Sequence, residues 1–527
     1  MIQRILYVIV YSFLLLPAIA QNTITGYVFN DVNKNNKKDR NEKGLPNVSV
    51  SNGRDVVLTN AEGKYSIIVD NDNIVFVIKP KDYSFPVDAY NSPRFFHYHK
   101  PLGSPATLKY TGVPATGAIP KSVDFPMLAA NETNTFSILV FGDPQPYNMT
   151  ELNYFNESIV KDVKDAGKYS FGISLGDLVG DDLDLHEPYK KYIASIGLPW
   201  YHVMGNHDIN FDVTADSLSD ESFEKNFGPN NYAWNYGSAH FVILDNIIYP
   251  DPRDGKGYQG GFRKDQLDFL ENNLKNVDKS KLVVISYHIP LDNAEGGGNH
   301  FIDADRQRFF SILKDFPNVL LMSAHTHFQE QLYYTQKHGW QGSKPLHEYN
   351  AGTTSGDWYS GKIGDKGYPD GTMRDGTPRG YAYLNINNNQ YDIQYQVMGA
   401  PADYQIEIYA PKVIAKDKRT SALIYANFFM GHKDDVVEFR IDDGNWRKMS
   451  YTESIDPNYF KSLIDWDFSE TVISGRRPST PVMSKHLWSA SVPFKLNAGT
   501  HTIEVRATDK YGKQHTANKK TYNVVAN

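Results

Sequence analysis

The chain has 527 residues, of which 40% are hydrophobic, and its formal charge is −7. This length is too great for one hydrophobic core and predicts about three domains. The absence of cysteine excludes disulfides and thiolate metal ligands, and mild acidity without a basic cluster makes nucleic acid an unfavourable partner.

The first twenty residues have the pattern of a secretory signal peptide. Arg4 precedes an apolar run from Ile5 to Leu16, and Pro17-Ala18-Ile19-Ala20 places small residues at the expected cleavage site. We therefore expect a signal peptide at residues 1–20 and a mature chain from Gln21. We expect a bacterial protein that is secreted to the periplasm or the extracellular space. No later segment is apolar for long enough to predict a transmembrane helix.

Residues 21–128 predict a small N-terminal β-sandwich domain. Short alternating runs rich in valine, isoleucine and tyrosine recur there without a helix-period stretch: Thr25–Phe29, Val48–Ser51, Tyr65–Val69 and Ile74–Ile78. The segments from Ile24 to Val50 and from Thr59 to Ser66 resemble the prealbumin-like and B-type repeats of surface proteins, which are scaffold modules.

One loop of this domain has the ligand spacing that an EF-hand uses for a structural Ca²⁺. Positions 1, 3, 5, 7, 9 and 12 are occupied by Asp31, Asn33, Asn35, Lys37, Asp39 and Glu42. Position 6 is Asn36 where an EF-hand has glycine, and asparagine is the next most tolerant residue for a left-handed turn. The alternative is a solvated polar turn, which the nearby lysines and arginine favour.

Residues 129–398 alternate apolar runs with helical stretches, which predicts an α/β catalytic domain. The helical stretches are Glu151–Ala166, Glu187–Ile196, Phe262–Leu274 and Asp303–Lys314. Five apolar runs, which we interpret as buried strands, each end in a polar motif. The runs are Phe136–Phe141, Phe171–Leu175, Trp200–Met204, Leu282–Ser286 and Val319–Ser323. The motifs are Gly142-Asp143-Pro144-Gln145, Gly176-Asp177, Gly205-Asn206-His207-Asp208, Tyr287-His288 and Ala324-His325-Thr326-His327.

These motifs bring together the groups that hydrolysis of a phosphate ester requires. Two metal ions about 3.5–4 Å apart supply a nucleophile near neutral pH and stabilise charge on the phosphate oxygens. Ions that close need a bridging carboxylate, and Asp177 lies at the centre of the motif array.

The ordered array resembles the calcineurin-like metallophosphoesterase family, whose core is a two-sheet αββα fold. The resemblance implies that Asp143, Gln145, Asp177 and His327 hold one metal ion, and that Asp177, Asn206, His288 and His325 hold the other. It implies that His207 faces the phosphate, where its proton stabilises developing charge or passes to the leaving oxygen, with Asp208 or Asp181 orienting the ring. Gln145 replaces the usual histidine and Ala324 the usual glycine, which we interpret as variation within the family. The mixed shell accepts Mn, Zn, Fe or Ni.

Downstream, Asn350–Trp358 and Thr377–Tyr381 resemble the C-terminal module of the subfamily that also carries a prealbumin-like N-terminal domain. That module would begin near residue 345. These segments, with the loop Asp292–His300, are predicted to form walls of the substrate pocket, and Trp358, Arg379 and His300 are candidate substrate contacts. A core position for Trp358 and a surface position for Arg379 are the alternatives.

Residues 399–527 return to short strands and predict a second, C-terminal β-sandwich. The predicted function is a secreted metal-dependent phosphoesterase in which a hydroxide held by two divalent cations attacks phosphorus. A small phosphorylated substrate is expected and no partner protein is implied; monoester and diester remain open. The alternative is a non-catalytic surface or glycan-binding protein with a relic phosphoesterase core.

Overall fold

A computed structural model describes residues 22–292 and 300–526. The predicted signal peptide lies outside the described residues, as do the glycines of the loop that precedes His300. Of the helices in the described ranges, none has the length and hydropathy required to cross a bilayer.

The N-terminal part consists of two four-stranded sheets, with orders β4-β1-β8-β6 and β3-β2-β5-β7. The strands are β1 (Asn22–Asn30), β2 (Ser49–Ser51), β3 (Val56–Leu58), β4 (Lys64–Val69), β5 (Asn73–Ile78), β6 (Tyr83–Ser84), β7 (Phe96–His99) and β8 (Phe125–Ala129). Side chains of β4 alternate between exposed and buried, as expected for a strand that covers a core on one face. Phe76 packs edge-on against Phe269, 5.6 Å between ring centres, so this part shares a core with the α/β part that follows.

The α/β part contains two large sheets with helices between their strands, which confirms the predicted fold class, and a small sheet formed by β14 and β15. Its elements are β9 (Thr135–Phe141), α1 (Met149–Ser158), β10 (Gly172–Ser174), α2 (His186–Ala194), β11 (Trp200–His202), α3 (Glu221–Phe227), β12 (Tyr232–Tyr236), β13 (Ala239–Ile243), β14 (Ile247–Ile248), β15 (Gln259–Gly260), α4 (Lys264–Leu274), β16 (Leu282–Ser286), α5 (Asp303–Leu313), β17 (Val319–Ser323), β18 (Glu330–Tyr334), β19 (Leu346–Asn350), β20 (Gly361–Lys362), β21 (Gly380–Asn387) and β22 (Gln390–Val397).

The sheet orders explain how the polar motifs are placed. One sheet has the order β11-β10-β9-β21-β22 and the other β12-β13-β16-β17-β19-β18. Strands β9, β10 and β11 are mutually parallel, as are β13, β16, β17 and β19. Parallel strands present their carboxyl ends at one edge of a sheet, and each predicted motif follows such an end.

Helix α1 is shorter than the predicted stretch Glu151–Ala166. It ends at Ser158, and the chain continues through short 3₁₀ turns at Val160–Asp162 and Ala166–Lys168. The extended backbone of Val163 and the left-handed conformation of Asp165, with φ 54°, interrupt the helix between them. Further 3₁₀ turns cover Leu183–Leu185, Asp216–Leu218 and Gln336–His338.

The C-terminal part has its own hydrophobic core between a four-stranded and a six-stranded sheet. Its elements are β23 (Ile406–Tyr409), β24 (Val413–Ala415), β25 (Leu423–Phe428), β26 (Val436–Ile441), β27 (Arg447–Lys448), β28 (Ser450–Tyr451), β29 (Ser454–Ile455), α6 (Pro457–Asp467), β30 (Gly475–Arg476), β31 (Met483–Ser484), β32 (Leu487–Ser491), β33 (Gly499–Thr508), β34 (Gln514–Thr516) and β35 (Lys520–Val525). The domain limits predicted at 128/129 and 398/399 stay a prediction.

Helix α6 was not among the predicted elements, because we expected only strands after residue 399. The local signals are nevertheless ordinary: the Asp456 side chain accepts the backbone N–H of Tyr459, and Pro457 occupies the first turn. Tyr459 and Leu463 are its buried residues and lie four positions apart. The strand pair β20–β30 joins this region to the α/β part.

Candidate metal centre

Four of the predicted ligands meet around one histidine nitrogen. His288 Nε2 lies 3.2 Å from Asp177 Oδ2, 3.1 Å from Asn206 Oδ1 and 3.2 Å from His325 Nδ1. The other ring nitrogen, Nδ1, is 2.8 Å from the carbonyl oxygen of Leu175, to which it donates in the tautomer that leaves Nε2 unprotonated. The arrangement therefore gathers nitrogen and oxygen ligand atoms in a geometry suited to chelation.

The remaining predicted ligands flank this group. The Asp143 carboxylate accepts the backbone N–H of His325 at 2.9 Å, and Gln145 donates its own backbone N–H to the carbonyl of Asp177, also at 2.9 Å. The side-chain oxygen of Gln145 is buried and has no hydrogen-bond partner among the described residues. A buried acceptor without a donor is costly unless a cation occupies the space beside it, so this atom fits the role of a metal ligand.

His327 has the orientation expected of a histidine that binds the metal ion predicted beside Asp143 and Gln145. Its Nδ1 lies 3.0 Å from the carbonyl oxygen of Gly356, and donation there leaves Nε2 as an acceptor. Its ring stacks on that of Trp358, with ring centres 4.1 Å apart and planes inclined by 24°. Trp358 is thus placed at the pocket, where it holds a predicted ligand in position.

The backbone at these motifs adopts an uncommon conformation. Asp143, Gln145, Asp177, His325 and His327 all have positive φ, between 30° and 74°. Residues other than glycine pay an energetic cost in this region, about 1–2 kcal/mol each, and such residues cluster at functional sites. The strained backbone therefore lowers the stability of the folded chain while it directs these side chains toward one point.

The electrostatics of the site also fit bound cations. Asp143 and Asp177 are both buried, and neither forms an ion pair with lysine or arginine in the part of the chain that the structure describes. Burial raises the pKa of Asp143 to about 8. Burial opposes ionisation of Asp177 too, but the charges of His288 and His207 lower its pKa well below the ordinary value. Two adjacent buried carboxylates of this kind are stabilised by a metal ion.

The histidines of the last motif are neutral at physiological pH. Burial lowers the pKa of His325 to about 3 and that of His327 to about 4, so their lone pairs are available to a metal. Burial has the same effect on His288, but the Asp177 carboxylate outweighs it and raises the pKa of His288 to about 9. A cation bound at Asp177 would take the place of that proton.

His207 contacts Asp181 and not Asp208. Its Nδ1 is 2.6 Å from Asp181 Oδ1, and its backbone N–H donates to Asp177. Burial lowers the pKa of His207, but the Asp177 and Asp181 carboxylates raise it to about 9.

The prediction of Asp208 as a catalytic, orienting residue is therefore wrong. Its buried carboxylate accepts the backbone N–H groups of Gly205, Leu178 and Val179 and lies 3.1 Å from His186 Nε2. Through these contacts Asp208 connects the loop that follows β10 to the loop that follows β11. Its carboxylate oxygens are therefore engaged there and are not directed at the His207 ring.

A pocket with a volume of about 300 Å³ opens over the candidate ligands. It is lined by Gln145, Asp177, Asn206, His207, Tyr258, His325, Thr326, His327, Trp358 and Arg374. Tyr258 and Arg374 were missed from the sequence, because neither lies in a motif and only the fold brings them to the site. The Tyr258 ring meets the His325 ring edge-on, with centres 6.0 Å apart.

Two predicted substrate contacts are not placed at this pocket. Arg379 is fully buried between the rings of Tyr359 and Tyr368, at 5.9 and 5.4 Å, and burial lowers its pKa. It is wrong as a substrate contact because the Tyr359 segment covers it. His300 Nε2 lies 3.2 Å from the carbonyl oxygen of Pro290, and His300 is not among the described residues that line the pocket.

The segment around Trp358 connects the candidate centre to the C-terminal part. Ser355 Oγ donates to the carbonyl of Asp143 at 2.7 Å, and the Tyr359 hydroxyl donates to that of Pro144. On its other side, the buried Asp357 carboxylate accepts the backbone N–H of Ser479 at 2.7 Å. The same carboxylate accepts the hydroxyl of Tyr459 at 3.3 Å, from helix α6. This segment therefore touches ligand-bearing backbone and the C-terminal part at once.

The predicted calcium loop is closed by its two terminal carboxylates. Asp31 accepts the backbone N–H of Asn36 at 2.8 Å, and Glu42 accepts that of Val32 at 2.9 Å. Asn36 has the left-handed conformation, φ 62°, that the sixth position of an EF-hand requires. Two side-chain amides donate to Asp39 Oδ2: Asn33 at 2.7 Å and Asn35 at 2.9 Å. Lys37 donates its backbone N–H to Asn35 Oδ1.

Three family models match successive parts of the chain. They are calcineurin-like phosphoesterase at residues 136–329, its N-terminal extension at 32–114 and its C-terminal extension at 348–515. The chain therefore belongs to the calcineurin-like phosphoesterase family, in the subfamily with both extensions. It is a metal-dependent phosphoric ester hydrolase with a dinuclear site for divalent metal ions.

A search of curated proteins found no match. Among solved structures, a dimetal phosphatase from Danio rerio is 13% identical, with a TM-score of 0.34, over 50% of this chain and 96% of that chain. A purple acid phosphatase, PPD1, from yellow lupin (Lupinus luteus) seeds is 12% identical, with a TM-score of 0.34, over 71% of this chain and 66% of that chain.

Proposed function

We propose that this protein is an exported phosphoesterase whose two metal ions share Asp177. The observation that carries the proposal is the meeting of Asp177, Asn206 and His325 atoms within 3.1–3.2 Å of His288 Nε2. In this proposal the second ion is held by Asp143, Gln145, Asp177 and His327. The unpartnered oxygen of Gln145 supports its place in that set.

The proposed chemistry divides between the cations and the chain. When bound, two divalent cations would stabilise charge on the phosphate oxygens and lower the pKa of an attacking water. His207 lines the pocket and donates a proton to the leaving oxygen. Asp181 binds Nδ1 of that ring at 2.6 Å and so directs Nε2 away from itself, toward the pocket. Neither residue forms a covalent bond to the substrate.

The substrate in this proposal is a small phosphate ester. A pocket of about 300 Å³ lies at the lower end of the range for ligand sites, which suits a compact phosphorylated molecule better than a macromolecular chain. Export rests on the signal-like first twenty residues. The alternative, a non-catalytic glycan-binding protein, is disfavoured because a relic site would have no reason to keep this full ligand set in a strained backbone.

Removal and return of metal tests the proposed activity directly. We expect chelated protein to be inactive on p-nitrophenyl phosphate and bis-p-nitrophenyl phosphate, and Mn²⁺, Zn²⁺, Fe²⁺ or Ni²⁺ to restore turnover on at least one. The measurement is the initial rate with the metal content determined in parallel. A working site should hold about two ions per chain.

The same experiment can contradict the proposal. Less than one metal ion per chain after incubation with each ion, together with no turnover on either ester, would favour the alternative of a non-catalytic binding protein. The preferred ester would decide between monoesterase and diesterase. Ca²⁺ serves as a matched addition that should not restore activity, because the nitrogen ligands suit transition metals.

We propose separately that the loop 31–42 binds a structural Ca²⁺. Its two buried end carboxylates and its left-handed sixth residue support this proposal. We expect millimolar Ca²⁺ to raise the melting temperature, because an ion that binds only the folded loop stabilises it. Calorimetry with and without Ca²⁺ measures the effect, and Asp31→Asn should remove it. An unchanged melting temperature in the unsubstituted protein would show that the loop is a solvated turn.

A further inference from the structure

Two guanidinium groups lie against Trp358 at the mouth of the pocket. The Arg374 guanidinium carbon is 5.6 Å from the centre of the indole ring, and Arg374 Nη2 donates to the carbonyl of Thr326 at 3.3 Å. Arg476 Nη2 donates to the carbonyl oxygen of Trp358 itself. Arg374 belongs to the α/β part and Arg476 to strand β30, so the two groups reach one residue from different parts of the chain.

The charge of Arg476 also acts on Tyr147, an aromatic residue that contacts His207. The half-exposed Tyr147 ring meets the His207 ring edge-on, with centres 5.8 Å apart. Burial raises the pKa of the Tyr147 phenol, and the charge of Arg476 opposes that rise. Arg476 therefore contacts the backbone of Trp358, which lines the pocket, and its charge also acts on Tyr147.

The carboxylates at this mouth are already engaged elsewhere. Asp181 binds His207, and Glu151 accepts the backbone N–H of Tyr147 at 2.8 Å. Asp357 faces inward, toward Ser479 and Tyr459. Within residues 22–292 and 300–526, Arg476 forms no ion pair, and its side chain is exposed. The charge of this guanidinium is thus available to a ligand.

The geometry points to a second anion subsite at the pocket mouth, for phosphate esters whose leaving group carries a further carboxylate or phosphate. This inference rests on the proposed function, because the cations and His207 would meet the charge of the scissile phosphate. A guanidinium farther out then has no charge of the reacting group left to neutralise. Its planar fork matches carboxylate and phosphate, and Arg476 supplies it from the C-terminal part.

A pair of substrates that differ mainly in the charge of the leaving group tests the subsite. We would compare kcat/KM for 3-carboxyphenyl phosphate with that for its methyl ester. The ester group withdraws electrons more strongly than the carboxylate, so a preference for the carboxylate cannot come from a better leaving group. The metal-loaded protein should prefer the carboxylate by about fivefold, mainly through KM, and the preference should shrink at high salt. 1,3-Phenylene bisphosphate compared with phenyl phosphate forms the second arm and shows whether phosphate is taken better than carboxylate.

Neighbouring arginines provide a matched pair of variants. Arg476→Gln keeps a donor for the Trp358 carbonyl but removes the charge, and it should reduce the carboxylate preference to near one. Arg477→Gln removes an equal charge one residue away, where the guanidinium binds Asp467 at 2.6 and 2.7 Å, and it should keep the preference. Metal content and melting temperature of both variants would show whether the Trp358 segment is intact.

The outcomes separate this inference from the proposed function. Equal kcat/KM for the carboxylate and its methyl ester in the unsubstituted protein would overturn the subsite, while hydrolysis of both would leave the phosphoesterase standing. A preference that survives in Arg476→Gln with intact metal content would also overturn it. Absence of hydrolysis of every ester by protein that holds two ions would contradict the proposed function itself.

Discussion

Replacing Asp177 by asparagine is expected to abolish phosphate ester hydrolysis and to leave the protein with well under one metal ion per chain. Asp177 is buried, and its Oδ2 lies 3.2 Å from His288 Nε2, where the ligand atoms of the site meet. In the proposed site it is the one carboxylate that contacts both ions, so the loss of its charge removes attraction for each of them. The measurements are metal content and initial rate.

The control for this prediction is Asp184→Asn, which removes a charge from an exposed position in the same loop region. It should keep both metal ions and full activity. Circular dichroism must show that Asp177→Asn remains folded, because the Asp177 carboxylate also accepts the backbone N–H of His207. A folded Asp177→Asn protein that retains two ions would contradict the bridging role.

Replacing His207 by alanine is expected to lower kcat by about 10²–10⁴ while both metal ions stay bound. The ring lines the pocket, and its Nδ1 contacts Asp181, which is not one of the predicted metal ligands. Loss of a general acid should be felt most by esters with poor leaving groups, since a good leaving group departs without a proton. A series of substituted phenyl phosphates, assayed with metal-loaded protein, measures this.

Two further variants are compared with His207→Ala in that series: Asp181→Asn, which changes the partner of the ring, and His97→Ala, which is a control. Asp181→Asn keeps a hydrogen-bond partner for His207 but loses the charge that favours its protonated form, so it should show the same leaving-group trend with a smaller loss. His97→Ala removes a histidine of strand β7 in the N-terminal part and should have no effect. Equal rate loss on good and poor leaving groups would exclude His207 as the acid.

Much of the core was predictable because its chemistry is local in sequence. Strands β16 and β17 were predicted with the bounds that the structure shows, since each is a short apolar run that ends where a polar motif begins. The motif residues follow strand ends, and the topology of parallel strands brings those ends together. The family motif therefore corresponds to a physical arrangement that the sequence already implies.

The walls of the pocket were not predictable in the same way. Arg374 and Arg379 lie five residues apart in one irregular segment. Arg374 lines the pocket and Arg379 is buried beneath Tyr359, and no sequence pattern distinguishes the two. Likewise, Asp181 and Asp208 are equally plausible partners of His207 in sequence. The loop after β10 decides between them by turning backbone N–H groups toward Asp208. Such choices depend on loop conformation, which periodicity does not encode.

The Asp357–Tyr359 segment determines where this chain can be divided into fragments. The match to the C-terminal extension begins at residue 348, so it includes strands β21 and β22, which complete the sheet containing β9. From the far side, Ser479 and Tyr459 bind Asp357. A catalytic fragment that ended before residue 348 would lose strands β20, β21 and β22 and most of β19. It would also lose the contacts that Gly356 and Trp358 make with His327. The extension is therefore not a detachable accessory, and chimaeras between relatives should exchange the core and its C-terminal extension as one inherited unit.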